Sequence, residues 1–334
     1  MPEPYGQGKK IDYSKEKMED NEEILAFIKY DGKLVAEGYL DARKSGEALV
    51  GIDELIRYFV YQEYPQIKDF EFEIPVRVRK GSWETILPEN IDKVALGAFG
   101  LWMAGKYMGS ALEEVAKSDF KDVSFKEIFK KAFKGIVNVI KLSKHLGTLA
   151  RKKFDNVQFG QNNELVKITN DNGEELWIPV EVLEIYSNCP QTLFNKLTKI
   201  VEVERELIVG FNEDNIVVEE TITNKYKYIF TKTEEDDEIV LPELQHGEYV
   251  EIDGHITRGN EKSNTIGFLY QGHIITCFPD TGNIKQHKSK LFSNCLLKGF
   301  VDRLDREGNV KEKRPRIKFI DIVNLEKPNA ELFD

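Results

Sequence analysis

The chain reads as an α+β protein with a small ββαββ layer, a central helical hairpin and a strand-rich C-terminal half ending in a five-stranded barrel. Three observations predict this. Apolar and charged residues alternate with period two from Phe70 to Val78, the mark of a half-buried strand. Apolar residues recur at helical spacing in the stretches between. From Gly247 onward, five short apolar runs are punctuated by glycine, as a small closed barrel requires.

Length and charge bound the function. A chain of 334 residues has room for two or three domains and a sizeable core. With 47 Lys plus Arg against 58 Asp plus Glu the net charge is −11, which excludes a protein that coats nucleic acid indiscriminately. Cys189, Cys277 and Cys295 are few, odd in number and far apart, so no disulfide framework or zinc knuckle is indicated. Met1 to Gly8 lacks the basic and apolar regions of a secretory signal, which predicts synthesis in a reducing cytoplasm. The expected parts are a polar arm over 1–23, a small α/β domain over 24–90, a helical element over 91–153, an α+β domain over 154–245 and the barrel over 246–334.

In chain order, Ile24 to Tyr30 and Leu34 to Leu40 read as strands joined by the turn signal Asp31-Gly32. From Glu47 to Tyr61, Leu49, Ile52, Leu55, Ile56 and Phe59 follow helical spacing up to Pro65. Phe70, Phe72, Ile74, Val76 and Val78 alternate with polar residues as a strand, and Trp83 to Leu87 pairs back on it.

The middle is distinctive. Val94 to Leu112 is nineteen residues with one charge, Lys106. As a helix it measures about 28 Å, close to a bilayer's hydrocarbon thickness of about 30 Å. Gly97 and Gly100 with Leu101 and Trp102 precede the G-x-x-x-G pair Gly105 and Gly109, a spacing that lets helices approach closely. Ser124 and Glu127 then stand in capping-box spacing ahead of a stripe of Phe125, Ile128, Phe129, Phe133, Ile136, Val137 and Ile140. Between Lys121 and Lys153 there are ten basic and two acidic residues, a surplus of eight. A basic amphipathic helix beside an apolar one fits an anionic membrane surface or a soluble helical hairpin that buries both faces.

Farther on, Leu165 to Thr169 and Glu175 to Ile178 flank the turn Asn170-Asp171-Asn172-Gly173, and Pro190 to Ile200 reads as a helix. Val203 to Val209, Ile216 to Ile222 and Tyr226 to Phe230 read as strands, and Glu234 to Glu238 as an acidic linker. The barrel strands are Tyr249 to Ile256, Thr265 to Tyr270, His273 to Phe278, Cys295 to Leu304 and Arg316 to Val323. With a crossover near Lys285 to Phe292, this order of elements resembles an OB-fold, which implies a surface for oligonucleotides.

Catalytic signatures are absent: the chain has no Walker phosphate loop, no H-E-x-x-H and no dinucleotide glycine motif. Gly81-Ser82 has no D-x-D pair after it, and the histidines lack metal-ligand spacing, so no metal or cofactor is expected. The barrel does carry a single-strand-binding inventory. Lys285, His287, Lys288 and Lys290 cluster in one connection, and Lys311, Lys313, Arg314 and Arg316 in another. Phe268 and Tyr270 are candidate stacking faces, or else they fill the barrel. From Gly247 to Glu326 thirteen basic and eleven acidic residues leave +2, which suits a short oligonucleotide better than a long duplex.

The succession of parts, with Lys33-Leu34-Val35 and Arg77-Val78-Arg79-Lys80-Gly81-Ser82 in the first layer, resembles the membrane effectors of bacterial Hailong anti-phage systems. The resemblance implies a nucleotidyltransferase-like partner that makes short single-stranded DNA, and a homotetrameric channel held inactive by it. It also implies that residues 1–23 plug the assembly, that Val94 to Leu112 forms the pore in the inner membrane, with Lys106 facing water or snorkelling, and that the basic groove senses the oligonucleotide. The expected function is therefore a non-enzymatic, oligomeric defence effector that perturbs the inner membrane. The alternative is a soluble OB-fold adaptor for single-stranded nucleic acid or a protein, with the central helices used for oligomerisation.

Overall fold

A computed structural model describes residues 24–69, 72–79, 83–89, 91, 124–151, 153–154, 157–160, 164–231, 239–304, 310 and 313–325. The arm over 1–23, the apolar run over 94–112, Gly81-Ser82, Lys311 and the acidic linker lie outside the described residues. The chain divides into two units, one of residues 1–147 and 191–233, the other of 148–190 and 234–334. Each unit is closed by a segment that returns from elsewhere in the sequence.

The first unit is built on a five-stranded sheet. Its strands are β1 (Ile24–Asp31), β2 (Arg77–Arg79), β3 (Trp83–Pro88), β7 (Glu206–Glu213) and β8 (Ile216–Ile222), in the order β2-β3-β1-β7-β8. β1 is central, and Leu25 to Ile28 are buried on both faces. The ββαββ expectation is corrected here. β1 already pairs with β3 on one edge and β7 on the other, so no edge remains for Leu34 to Leu40. Lys33–Val35 instead forms a 3-10 turn. Gly32 serves a close approach, since a Cβ there would stand 2.3 Å from the Glu204 carbonyl oxygen and its φ is +121°. Of the run from Phe72 to Val78, only Arg77–Arg79 is a strand.

Two helices cover the sheet. Helix α1 (Ala42–Glu63) starts at Asp41, whose carboxylate accepts from the Arg43 and Lys44 amides, and buries Ile52, Leu55, Ile56 and Phe59; Leu49 faces out. Helix α2 (Phe125–Leu146) has the expected cap. The Ser124 hydroxyl accepts from the Glu127 amide at 3.1 Å, and left-handed Gly147 ends the helix. Its stripe packs on α1, β7, β8 and β1. The β7–β8 hairpin turns through Asp214-Asn215, both at positive φ, as a type I′ turn requires. Tyr226 to Phe230 is corrected from strand to a short helix, Lys227–Phe230, whose Phe230 ring lies 5.2 Å from that of Phe194. The helix expected over Pro190 to Ile200 shortens to Asn195–Thr198.

The second unit opens with β4 (Gln158–Phe159), β5 (Leu165–Thr169) and β6 (Glu175–Pro179) in a three-stranded sheet, followed directly by α3 (Val180–Asn188). Five further strands complete it: β9 (Tyr249–Asn260), β10 (Thr265–Tyr270), β11 (His273–Pro279), β12 (Asn294–Asp302) and β13 (Arg316–Asn324). They form a ring in the order β10-β11-β13-β12-β9, closed because β9 pairs with both β12 and β10. β11 and β13 run parallel and every other pair is antiparallel. Ile256, Ile266, Phe268, Ile275, Cys277, Cys295, Leu297 and Phe319 fill the interior. Glycines sit where strands crowd. A Cβ at Gly299 would stand 2.3 Å from the Lys318 carbonyl oxygen, and one at Gly254 equally close to that of Leu269.

Candidate nucleic-acid interface

The basic connection between β11 and β12 is a 3-10 helix, Ile284–Lys290, capped by Asn283, whose side chain accepts from the Lys285 amide. It is stitched to the β9–β10 turn. The Asn264 amide donates to the Gly282 carbonyl at 3.1 Å, and its oxygen accepts from the Ile284 amide at 2.8 Å. This juxtaposition brings Lys285 and Lys288 to one carboxylate, Glu261, at 3.6 and 2.5 Å. Lys288's hydrogen bond holds that carboxyl below the usual range. Two lysines on one glutamate leave a net cation, and both lysine side chains are exposed. Lys262 stands in the same turn.

The other basic residues are used differently. His287 is half-buried and lies edge-on to Phe319 at 5.5 Å, and burial lowers its pKa, with Lys290 adding to the effect. Lys290 donates to the Ile322 carbonyl. The carbonyl of Lys313 accepts from Arg303. Arg314 donates to the carbonyls of Ser187 and Ile274, and Arg316 to Asp302 and the Leu304 carbonyl at 2.7 Å each. The second basic cluster thus serves largely as structural bracing. Of the residues expected to hold a ligand there, Arg314 and Arg316 make these bonds within the fold, and the Arg316 side chain remains partly exposed.

The aromatic expectation is corrected too. Phe268 is fully buried inside the ring and Tyr270 packs against the same core, because residues 266, 268 and 270 share the inward face of β10. Outward on β10 lies Gly267, and on that side α3 packs on β9 and β11. Glu184 of α3 reaches into the gap: a Cβ at Gly267 would stand 2.5 Å from its Oε2 and 2.6 Å from Thr257 Oγ1. Arg258 Nε stands 3.4 Å from the same carboxylate oxygen. Five apolar residues of α3 are buried (Val180, Val182, Leu183, Ile185, Tyr186). At about 1.5–3 kcal/mol each, their burial makes the helix a fixed cover of this face. The opposite outer face of β9, β12 and β13 is open. It carries the edge-to-face pair Tyr249 and Phe300, ring centroids 5.5 Å apart, beside Lys298 and Lys318, which pair with Glu251 and Asp280.

Sequence reading missed Glu261, Asn264 and the Tyr249–Phe300 pair. Asn264 at positive φ in a turn of Glu-Lys-Ser-Asn was a usable signal. The pair was hidden, because its two residues are 51 positions apart and meet only through the β9–β12 register.

Of the residues expected in a membrane, Gly97, Gly100, Leu101, Trp102, Gly105, Lys106 and Gly109 lie outside the described residues. Phe129 and Phe133 are corrected to core residues, both fully buried beneath α1 and the sheet. Part of the basic surplus of α2 is matched by acids: Lys126 meets Glu89, Lys134 meets Glu213 at 3.3 Å and Lys144 meets Glu220 at 2.7 Å. Among the described residues no helix is long and apolar enough to cross a membrane. No group of three or more His, Cys, Asp or Glu among them could hold a metal ion. Comparison with known protein families, with curated proteins and with solved structures finds no match.

Proposed function

We propose that the chain is a non-enzymatic binding protein whose five-stranded ring is an OB-like barrel that engages a short single-stranded oligonucleotide. The carrying observation is the ring order with its single parallel pair, β11 beside β13, which is the strand plan of an OB barrel. The contact surface in this reading is the end of the ring where Lys285 and Lys288 share Glu261, beside the turn that holds Lys262. An incoming phosphate competes with that carboxylate for the lysines. With α3 over the strand face that such barrels commonly use, the ligand is short and phosphate contacts dominate its affinity. The resemblance to defence effectors supplies the setting: an oligomer held inactive by oligonucleotide from a nucleotidyltransferase-like partner. Gating by ligand demands tighter binding to the closed state than to the open one.

Fluorescence anisotropy with labelled deoxynucleotide oligomers tests the sensor. Binding at low salt is expected, with the slope of log K against log salt falling by about 1 for each of Lys285→Glu and Lys288→Glu. No binding at low salt, or binding that both substitutions leave unchanged, overturns the reading. The membrane arm rests on residues 94–112. Trp102→Glu in the full chain is expected to abolish co-flotation with anionic liposomes; equal flotation of both proteins, or of neither, removes that arm.

A further inference from the structure

The five-stranded sheet of the first unit has two edges, and they carry opposite charge. One is β2, a three-residue strand that begins at exposed Arg77. The other is β8, seven residues long, with Glu219 and Glu220 at its middle and no proline or cation within it. Among the described residues no backbone hydrogen bond joins the outer edge of either strand. Long open edges invite pairing with another chain.

Register makes the two edges complementary in position as well as charge. Arg77 lies opposite Ile86, Ile86 opposite Phe27, Phe27 opposite Gly210, and Gly210 opposite Glu219. Residues directly opposite share a face, so Arg77 and Glu219 end the same row on the same face, at opposite edges. Three further details fit a docking edge. Glu219 Oε2 makes no hydrogen bond within the chain, so its carboxylate keeps acceptor capacity that a guanidinium could use after a side-chain rotation. Glu220, on the other face, is already engaged by Lys144. Val78 on β2 and Ile216 on β8, one at each edge, are each about half exposed.

We propose that the β8 edge of one chain docks the β2 edge of a second copy, continuing the sheet with Arg77 beside Glu219. Both strands run in the direction of β1, so a sheet continued with the same face up makes a parallel pair. Pairing β8 with its own copy would crowd Glu219 against Glu219, and pairing β2 with its own copy would set arginine against arginine; only the head-to-tail arrangement matches unlike charges. Such a contact is heterologous, so it builds a closed ring or a filament rather than a two-fold dimer. The inference stands apart from the oligonucleotide reading.

Sedimentation velocity of the full chain tests it. The wild type is expected at multiples of its 38.5 kDa mass. Glu219→Arg and Arg77→Glu alone each give single chains, and the Arg77→Glu, Glu219→Arg double variant regains the assembly. That rescue separates a docking role from a folding defect. A wild type that sediments as a single chain at its highest attainable concentration overturns the proposal, as does an assembly that neither single reversal changes.

Discussion

Phe129→Asp unfolds the first unit, and Phe129→Ala lowers its melting temperature by roughly 6–20 °C. The ring is fully buried on α2, 6.2 Å from Phe72 and 6.5 Å from Phe125. Truncating a buried phenylalanine to alanine costs about 3–5 kcal/mol, and in a unit of this size each kcal/mol shifts the midpoint by about 2–4 °C. Aspartate adds an unpaired carboxylate in an apolar site, and the sum approaches the whole stability of a typical domain, about 5–15 kcal/mol. Phe133, equally buried, behaves the same way. Circular dichroism on heating is the measurement. A Phe129→Asp protein with the wild-type melting curve would return these residues to a surface or membrane role, since a side chain facing lipid carries no folding load in water.

Arg303→Ala produces the second large effect, in the other unit. Arg303 is almost completely buried. Its guanidinium donates to four backbone carbonyls: Leu244 at 2.7 Å, Lys313 at 3.0 Å, Val240 at 2.9 Å and Leu241 at 2.6 Å. It thereby ties the segment that leads into β9 to the segment that leads into β13. Burial pulls its pKa down, but a guanidinium stays charged at any physiological pH. Alanine leaves the four acceptors without their donor, at a cost of about 3–5 kcal/mol once water reclaims some of them. The expected result is a lower urea midpoint together with faster hydrogen exchange at the amides of Val240 and Gly247, which bond to Lys313 and Val301. Arg303→Lys recovers little, because an ammonium cannot reproduce the planar fork. An unchanged midpoint for Arg303→Ala would mean that these bonds contribute nothing net.

Neither residue announced its role in sequence. Phe129 stands in an amphipathic stripe that suits a bilayer, a helical hairpin or a sheet equally well. The choice depended on β7 and β8, which arrive about 70 residues later and cover that stripe from the other side. Arg303 lies in a run of four charged or apolar residues with nothing to mark it as buried. The lysines were visible as a cluster, yet Lys285 and Lys288 share a carboxylate from the β9–β10 turn while Lys290 folds back on the Ile322 carbonyl. Counting charge along the chain could not separate them.

The features legible from spacing are local. The capping box and glycine stop of α2, the turn between β5 and β6 and the five strands of the ring all emerge from spacing, because each depends on neighbours within a turn or a hairpin. Tertiary structure alone decided which edges β1 could share, and so denied a strand to Leu34 through Leu40. It also decided the direction of Phe268. In a strand successive side chains point to opposite faces, so only the pairing of β10 with its neighbours, bulge included, sets which face is inside. Those pairings bring together residues that the sequence holds far apart, and the energy that selects them is the burial of surface that no single segment possesses.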